Sequence, residues 1–368
     1  MKYRILLLTF LVSFGFLFSQ HIINPDTPEK GEWSFSPRKA WETFQADTDI
    51  LVSINAIRID RQGNIFILNS KLNRVHVFNA QGKHLYSFGK KGEGPGEIKQ
   101  AWGLFVLENR VIIPDMNKIH YFSKNGEYLK SLPTPAMSLS YLFPDEHRVI
   151  AIPFSSFQKE QREVILYDLK KKSKKLLFRV PKVKALRYSG ESIRLMLRMP
   201  FAAAEELLMV KRSGEIWYGY NNAYRIQRLD LNQKGSMSFS IKGRKQKEIP
   251  RENKRVLFER VMESNRQIPK NVLDTMSEQI PDQMPCFHYL FTDLRGRFFV
   301  LTASSVKPNS RDVDIFSSEG KYLYRGNIRI DPEYAILQLA LREENLVVFV
   351  EDPDGERMLV KYALNIPE

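Results

Sequence analysis

The chain has 368 residues, 43% of them hydrophobic, with 19 glycines, 19 prolines and a single cysteine, Cys286. One cysteine excludes an intramolecular disulfide framework, so stability has to come from a packed apolar core, for which the length is ample. The formal charge of +14, from 56 Lys and Arg against 42 Asp and Glu, favours anionic partners.

Residues 1–19 read as a secretory signal peptide: Lys2 and Arg4 precede an apolar run from Ile5 to Phe18 that the small residue Ser19 closes. That run is short of the ~20 residues with which a helix crosses a bilayer. The reading is therefore cleavage after Ser19 or Gln20 and export to the periplasm or the exterior, with no later transmembrane segment. Retention of the run as an anchor is the alternative. Removing the two positive charges of the signal leaves 14 − 2 = +12 on residues 20–368. For an exported chain the anionic partner would be a protein, a peptide, an anionic glycan or a membrane surface, with nucleic acid the poorest candidate.

Residues 20–366 read as one domain built on a repeat. One phrase recurs three times: Phe78-x-x-x-Gly82-Lys83-x-Leu85, Phe122-x-x-x-Gly126-Glu127-x-Leu129 and Phe316-x-x-x-Gly320-Lys321-x-Leu323. Each joins two strands through a polar turn that ends in Gly, where positive φ carries no steric cost. The first two copies lie 122 − 78 = 44 residues apart, the length of a four-stranded propeller blade. A second phrase, an apolar strand running through a polar turn into a stronger apolar strand, appears six times. Its copies are Ile57–Ile67, Leu104–Ile113, Tyr141–Ile152, Leu207–Tyr218, Leu290–Leu301 and Leu337–Val350. The fold class expected is thus all-β, a six-bladed β-propeller. Blade six lacks its outermost strand at the C-terminus, and residues 32–44, with Trp33, Phe35, Trp41 and Phe44, are expected to close the ring.

Two intervals exceed the repeat. Residues 182–206 form one insertion, with Arg187, Arg194 and Arg198 among apolar residues. Residues 242–285 read as a helical insertion between blades four and five. There Pro250 starts a helix that presents Leu257, Phe258, Val261 and Met262, and after Pro269 a second helix presents Val272, Leu273, Met276 and Ile280.

In blade one, Asn73-Arg74-Val75-His76-Val77-Phe78-Asn79-Ala80-Gln81-Gly82-Lys83 is followed by Phe88-Gly89-Lys90-Lys91-Gly92-Glu93-Gly94-Pro95-Gly96-Glu97-Ile98. This resembles the NHL-type repeat, and the Gly-Pro-Gly-Glu ending is similar to that of exported bacterial six-bladed β-propeller proteins. The resemblance implies the propeller fold and a ligand-binding or protein-interaction role, and it carries no catalytic residues onto this chain. Gly94-Pro95-Gly96 is no phosphate loop, because it lacks the Lys-Ser/Thr ending and leads toward a strand.

Catalytic constellations are not found. His76 and His120 hold the same position in blades one and two, but Ile165, Gln227, Asp314 and Val360 hold it elsewhere, so no ring of metal ligands forms. Asn69, Asp115, Asn221 and Asn222 follow strong apolar strands and share one face. They are either turn residues or oxygen donors toward a ligand. Cys286 has no local base and no nucleophile elbow is present. The densest charge run, Lys242, Arg244, Lys245, Lys247, Arg251, Lys254 and Arg255, introduces the second insertion.

The function expected is an extracytoplasmic binding or interaction scaffold rather than an enzyme, without cofactor or metal. The candidate binding residues are those seven cations with Asn69 and Asp115. The competing expectation is a metal-dependent hydrolase or lyase, lactonase-like, which would use Ca or Zn in the central channel.

Overall fold

The computed structural model describes residues 20–43, 53–156, 159–182, 184–190, 194–198, 203–229, 231, 236–250, 254, 259, 268–302 and 309–367. The expected signal peptide, residues 1–19, lies outside them. Six sheets of four or five strands account for the domain. Blade one comprises Ile54–Ile59, Ile65–Asn69, Arg74–Phe78 and His84–Phe88, paired antiparallel in chain order. Blades two to five repeat that order over residues 105–133, 138–181, 207–241 and 289–329. Blade six takes only three strands from residues 335–363. First strands of neighbouring blades touch one another, which places them around the central axis.

The second strands show why the apolar phrase repeats. In Ile65–Asn69 every residue is buried. Phe66 and Leu68 pack on blade two, whereas Ile65 and Ile67 pack on blade six. A strand buried on both faces has no polar alternation to show, which is why these segments read as unbroken apolar runs. Turns between first and second strands, and between third and fourth, lie on one face of the ring. Turns between second and third strands, and all connections between blades, lie on the other.

The recurring glycine has two physical reasons. Gly82, Gly126 and Gly320 have φ of 82°, 85° and 84°, a conformation that costs a side chain about 1 kcal/mol or more. Each also lies under an aromatic ring of the preceding blade's outermost strand. A Cβ would come within 2.7 Å of Trp41 at Gly82, 2.9 Å of Phe88 at Gly126 and 2.6 Å of Phe239 at Gly320. The phrase therefore records a joint between blades as well as a turn.

The N-terminal segment forms a strap along the outer edges of three blades. Strand β1 (Gln20–Asn24) adds parallel to the outermost strand of blade four, and β2 (Glu32–Ser34) adds parallel to that of blade five. Strand β3 (Arg38–Thr43) pairs antiparallel with Arg357–Ala363 and completes blade six. Of the residues 32–44 expected to close the ring, 38–43 pair in blade six and 32–34 pair in blade five, and β1 precedes the expected segment. Gly326 admits the strap, since a Cβ there would meet Phe35 at 2.6 Å and the Trp33 carbonyl oxygen at 2.7 Å. Asn24 stitches β1 across the blade boundary: its Nδ2 donates to the carbonyls of Ser240 and Gly320, and its Oδ1 accepts from the Tyr322 amide.

The first insertion carries an antiparallel pair, Ala185–Ser189 with Arg194–Arg198. The reading of residues 242–285 as a helical pair is corrected in part. Its ends are held by a short antiparallel pair, Lys247–Glu248 with Gln283–Met284, and one helix, α1 (Lys270–Ser277), is described. The helix expected from Pro250 falls almost wholly outside the described residues. Val272, Leu273 and Met276 of α1 are buried as its periodicity implies. With Leu186, Ala203, Ala204, Ile249 and Ile280, Val272 and Met276 make a small core that ties the two insertions together.

Gly126→Ala is expected to destabilise the fold by about 2–4 kcal/mol, from positive φ plus displacement of Phe88. Gly355→Ala, with φ of 83° and no atom within 4 Å of the added Cβ, should cost only about 1 kcal/mol. Urea unfolding of the two variants checks this, because equal losses would remove the role assigned to the aromatic contact.

Candidate functional site: a cationic cleft between blades four and five

Asp314 is the centre of this site. It lies in the third strand of blade five and is only 2% exposed, so its charge must be compensated by hydrogen bonds and cations. Its register partner Val300 packs against blade four, which directs Asp314 toward the same blade. Tyr224 of blade four donates its hydroxyl to Oδ2 at 2.7 Å, and Tyr322 donates to Oδ1 at 2.5 Å. Burial and the adjoining carboxylate push both phenols well above their ordinary range.

Two arginines close over this carboxylate. Arg244 Nη2 lies 3.4 Å from Asp314 Oδ1, and Arg325 Nε lies 4.0 Å from it. Both also reach Asp26 in the strap between β1 and β2, through Arg244 Nε at 3.0 Å and Arg325 Nη2 at 3.1 Å. The guanidinium of Arg244 stands over the Tyr224 ring at 5.7 Å, and that of Arg325 over Tyr322 at 5.9 Å. Burial opposes the charge on Arg244, but Asp314 and the two tyrosines outweigh it and hold the group above its ordinary range.

Around this fixed pair opens a cleft of about 500 Å³, lined further by Lys242, Lys245, Lys247, Thr302 and Asp312. Five cations face three carboxylates there, an excess of 5 − 3 = 2 positive charges. The arginines are committed to Asp26 and Asp314, whereas no ion pair is formed by Lys242, Lys245 or Lys247 among the described residues. Three ammonium groups, over a floor where two carboxylates balance the two guanidiniums, supply the positive excess and suit an anionic group.

Of the residues expected from sequence, Lys242, Arg244, Lys245 and Lys247 meet in this cleft. Lys254 is drawn away into an ion pair with Asp282. Arg251 and Arg255 lie outside the described residues. Asn69 and Asp115 are buried, 0% and 4% exposed, and hold backbone rather than facing solvent. Asn69 Oδ1 accepts from the Leu72 amide at 3.1 Å. Asp115 accepts from the amides of Lys99 and Gln100 at 2.8 and 2.7 Å, bracing the connection between blades one and two. Asn221 braces its own connection in the same manner, donating to the carbonyls of Ala204 and Phe287. Asp26, Tyr224, Tyr322, Arg325 and the role of Asp314 were not anticipated. The available signal was Asp314 itself, a carboxylate at the strand position that His76 and His120 hold in blades one and two.

Those histidines are buried and bonded to serines of the neighbouring strand: His76 Nδ1 lies 2.8 Å from Ser87 Oγ, and His120 Nδ1 lies 2.9 Å from Ser131 Oγ. Among the described residues, no group of three or more His, Cys, Asp or Glu could hold a metal ion. The Gly-rich connection after blade one is folded around its own Glu97, whose Oε2 accepts from the Gly94 amide at 2.9 Å. Cys286 is buried, and its thiol is pushed up to about 11 by that burial.

This geometry defines a six-bladed β-propeller, with a polar cleft set between two of its blades. The chain belongs to the DUF5128 family of 6-bladed beta-propellers, whose profile matches residues 44–239. It is similar in fold to a protein described as exported from Bacteroides fragilis, with 13% identity over 95% of this chain and 99% of that one and a TM-score of 0.55. A DUF4221 member from Bacteroides vulgatus is similar at 9% identity over 91% and 99% of the two chains, with a TM-score of 0.58. No curated protein matches the sequence. No helix among the described residues is long and apolar enough to cross a membrane.

Burial lowers His76 to about 4, helped by the charges of His84 and Arg74, and it lowers His288 to about 4, helped by Arg311. Unfolding returns each to about 6.5. The stability that their neutral burial provides is therefore complete above pH ~6.5 and is lost progressively as pH falls through that value toward 4. Urea unfolding at pH 7.5 and 4.5 should show a loss on the order of 2–3 kcal/mol per histidine, with a smaller loss in His76→Gln. An equal loss in wild type and His76→Gln would contradict the assignment to His76.

Proposed function

We propose that this protein is an exported binding propeller that holds an anionic group of a protein, peptide or glycan partner in the cleft between blades four and five. The observation that carries the reading is the convergence of Lys242, Lys245 and Lys247, none ion-paired among the described residues, on a floor where Arg244 and Arg325 are held rigid by Asp26 and Asp314. Guanidinium groups fixed in advance lose little freedom when a carboxylate or sulfate arrives, and the lysines adapt to its shape. Export is supported by the N-terminal signal pattern and by the likeness to the Bacteroides fragilis protein described as exported. The NHL-like phrase of blade one supports an interaction role rather than a catalytic one.

Lys242, Lys245 and Lys247 replaced together by Glu should weaken binding of oligogalacturonate or poly-glutamate at least tenfold at low salt, while leaving the unfolding free energy within about 1 kcal/mol. Wild-type affinity should fall steeply with added salt and that of the variant should not. Equal affinity of the two proteins for both probes would overturn the reading.

A further inference from the structure

The inner wall of the ring carries a second feature, independent of the rim cleft. Arg58 belongs to the first strand of blade one, which borders the central axis. It pairs with Phe66, the residue of the second strand that packs toward blade two. The same register position in the other five blades is occupied by Phe105, Leu142, Val210, Phe291 and Ala340. In each case the pairing partner on the second strand packs toward the following blade, so the six positions are structurally equivalent. Five of them are apolar. One carries a guanidinium.

That guanidinium is poorly compensated. Its hydrogen bond is to the carbonyl of its own neighbour, Ile57, at 2.8 Å, and its carbon lies 5.9 Å from the centroid of the Phe105 ring. It forms no ion pair with a carboxylate among the described residues. The side chain is exposed to solvent, while the protein around it opposes its charge and pulls the group below its ordinary range. Enclosed by protein but open to solvent is the condition of a group that faces an internal channel. A cation that no carboxylate neutralises is left available to an anion that joins it. The planar fork of Arg matches the two oxygens of a carboxylate, and charge-assisted bonds of this kind are the strong ones. Phe105, which lies beside the charge, is half-buried, as are Leu142, Val210 and Phe291 at the equivalent positions of the next blades. Phe291 is itself stacked on Tyr289 at 5.7 Å, which gives that wall a flat aromatic face.

We propose that the central channel binds a small amphipathic carboxylate, with its carboxylate on the Arg58 guanidinium and its apolar body against the ring of Phe105, Leu142, Val210 and Phe291. One charge in an apolar ring selects a monoanion with a hydrophobic body. A fully hydrated anion such as phosphate would lose its water there without enough polar partners in return.

Calorimetric titration of the full chain with phenylacetate, acetate and inorganic phosphate tests this. Phenylacetate should bind wild type at least tenfold more tightly than acetate, and phosphate should not bind in the channel. Arg58→Gln should lose at least tenfold in phenylacetate affinity, Arg58→Lys should retain part of it, and Phe105→Ala should weaken phenylacetate but not acetate. Arg58→Gln should show no rise in Tm with phenylacetate, whereas wild type should. The proposal is overturned if phenylacetate does not bind, if Arg58→Gln binds it as wild type does, or if phosphate binds as tightly as phenylacetate and depends on Arg58. Failure at this site leaves the rim cleft untouched, because Lys242, Lys245 and Lys247 play no part in it.

Discussion

A propeller is a ring of sheets, and every face of every sheet is buried only if the ring closes. In this chain closure depends on β3, six residues that pair with Arg357–Ala363 and complete blade six. The same strand makes the joint to blade one: Trp41 lies over Gly82 and donates its indole N–H to the Ala80 carbonyl at 2.9 Å, where Lys361 Nζ also donates at 2.9 Å. The device repeats around the ring as Phe88 over Gly126 and Phe239 over Gly320. Closure therefore uses the contact that joins other blades, with one partner drawn from the far end of the chain. Without it, Ile57, Ile59, Ile65 and Ile67 would lose the blade-six side chains against which they pack, and an open sheet edge would face solvent.

The strap that closes the ring also builds the rim cleft. Asp26 lies between β1 and β2, and it holds both Arg244 and Arg325. Parallel addition of β1 to blade four and of β2 to blade five sets that aspartate at the boundary of the two blades. Stability and site geometry thus share one segment. The axis is a different environment, where Arg58 is the single charge in its ring of six equivalent positions. The rim cleft gathers several cations and the position proposed at the axis carries one beside apolar side chains, so the two suit different classes of anion.

What was legible in the sequence follows from which constraints are local. The Phe-x-x-x-Gly phrase is visible because a turn and an aromatic contact both require glycine at one spacing. The second strands are visible because burial on both faces gives unbroken apolar runs such as Ile65–Leu68. The strap was legible only where Trp41 lies in β3. Strand β1 offers just Ile22 and Ile23, and an edge strand added in parallel needs no turn signal to announce it. Part of the cleft was legible as a charge run, since Lys242 to Lys247 are adjacent in sequence. Asp26, Tyr224, Asp314 and Arg325 come from four distant segments, and only the fold brings them together. Asn69 and Asp115 were candidates on the grounds of residue type and shared face. Their carbonyl and carboxylate oxygens instead hold backbone amides, because turns on that face must anchor the connections between blades.

The strap is an integral part of one cooperative ring rather than a decoration on its rim. Native-state hydrogen exchange tests it most directly. Paired amides of β3 should exchange only through the same global opening as those of Val347–Val350 in blade six, with a common free energy and a common denaturant dependence. Exchange of β3 at low free energy and without denaturant dependence, while Val347–Val350 stay protected, would show a ring that holds without its strap and would contradict the account.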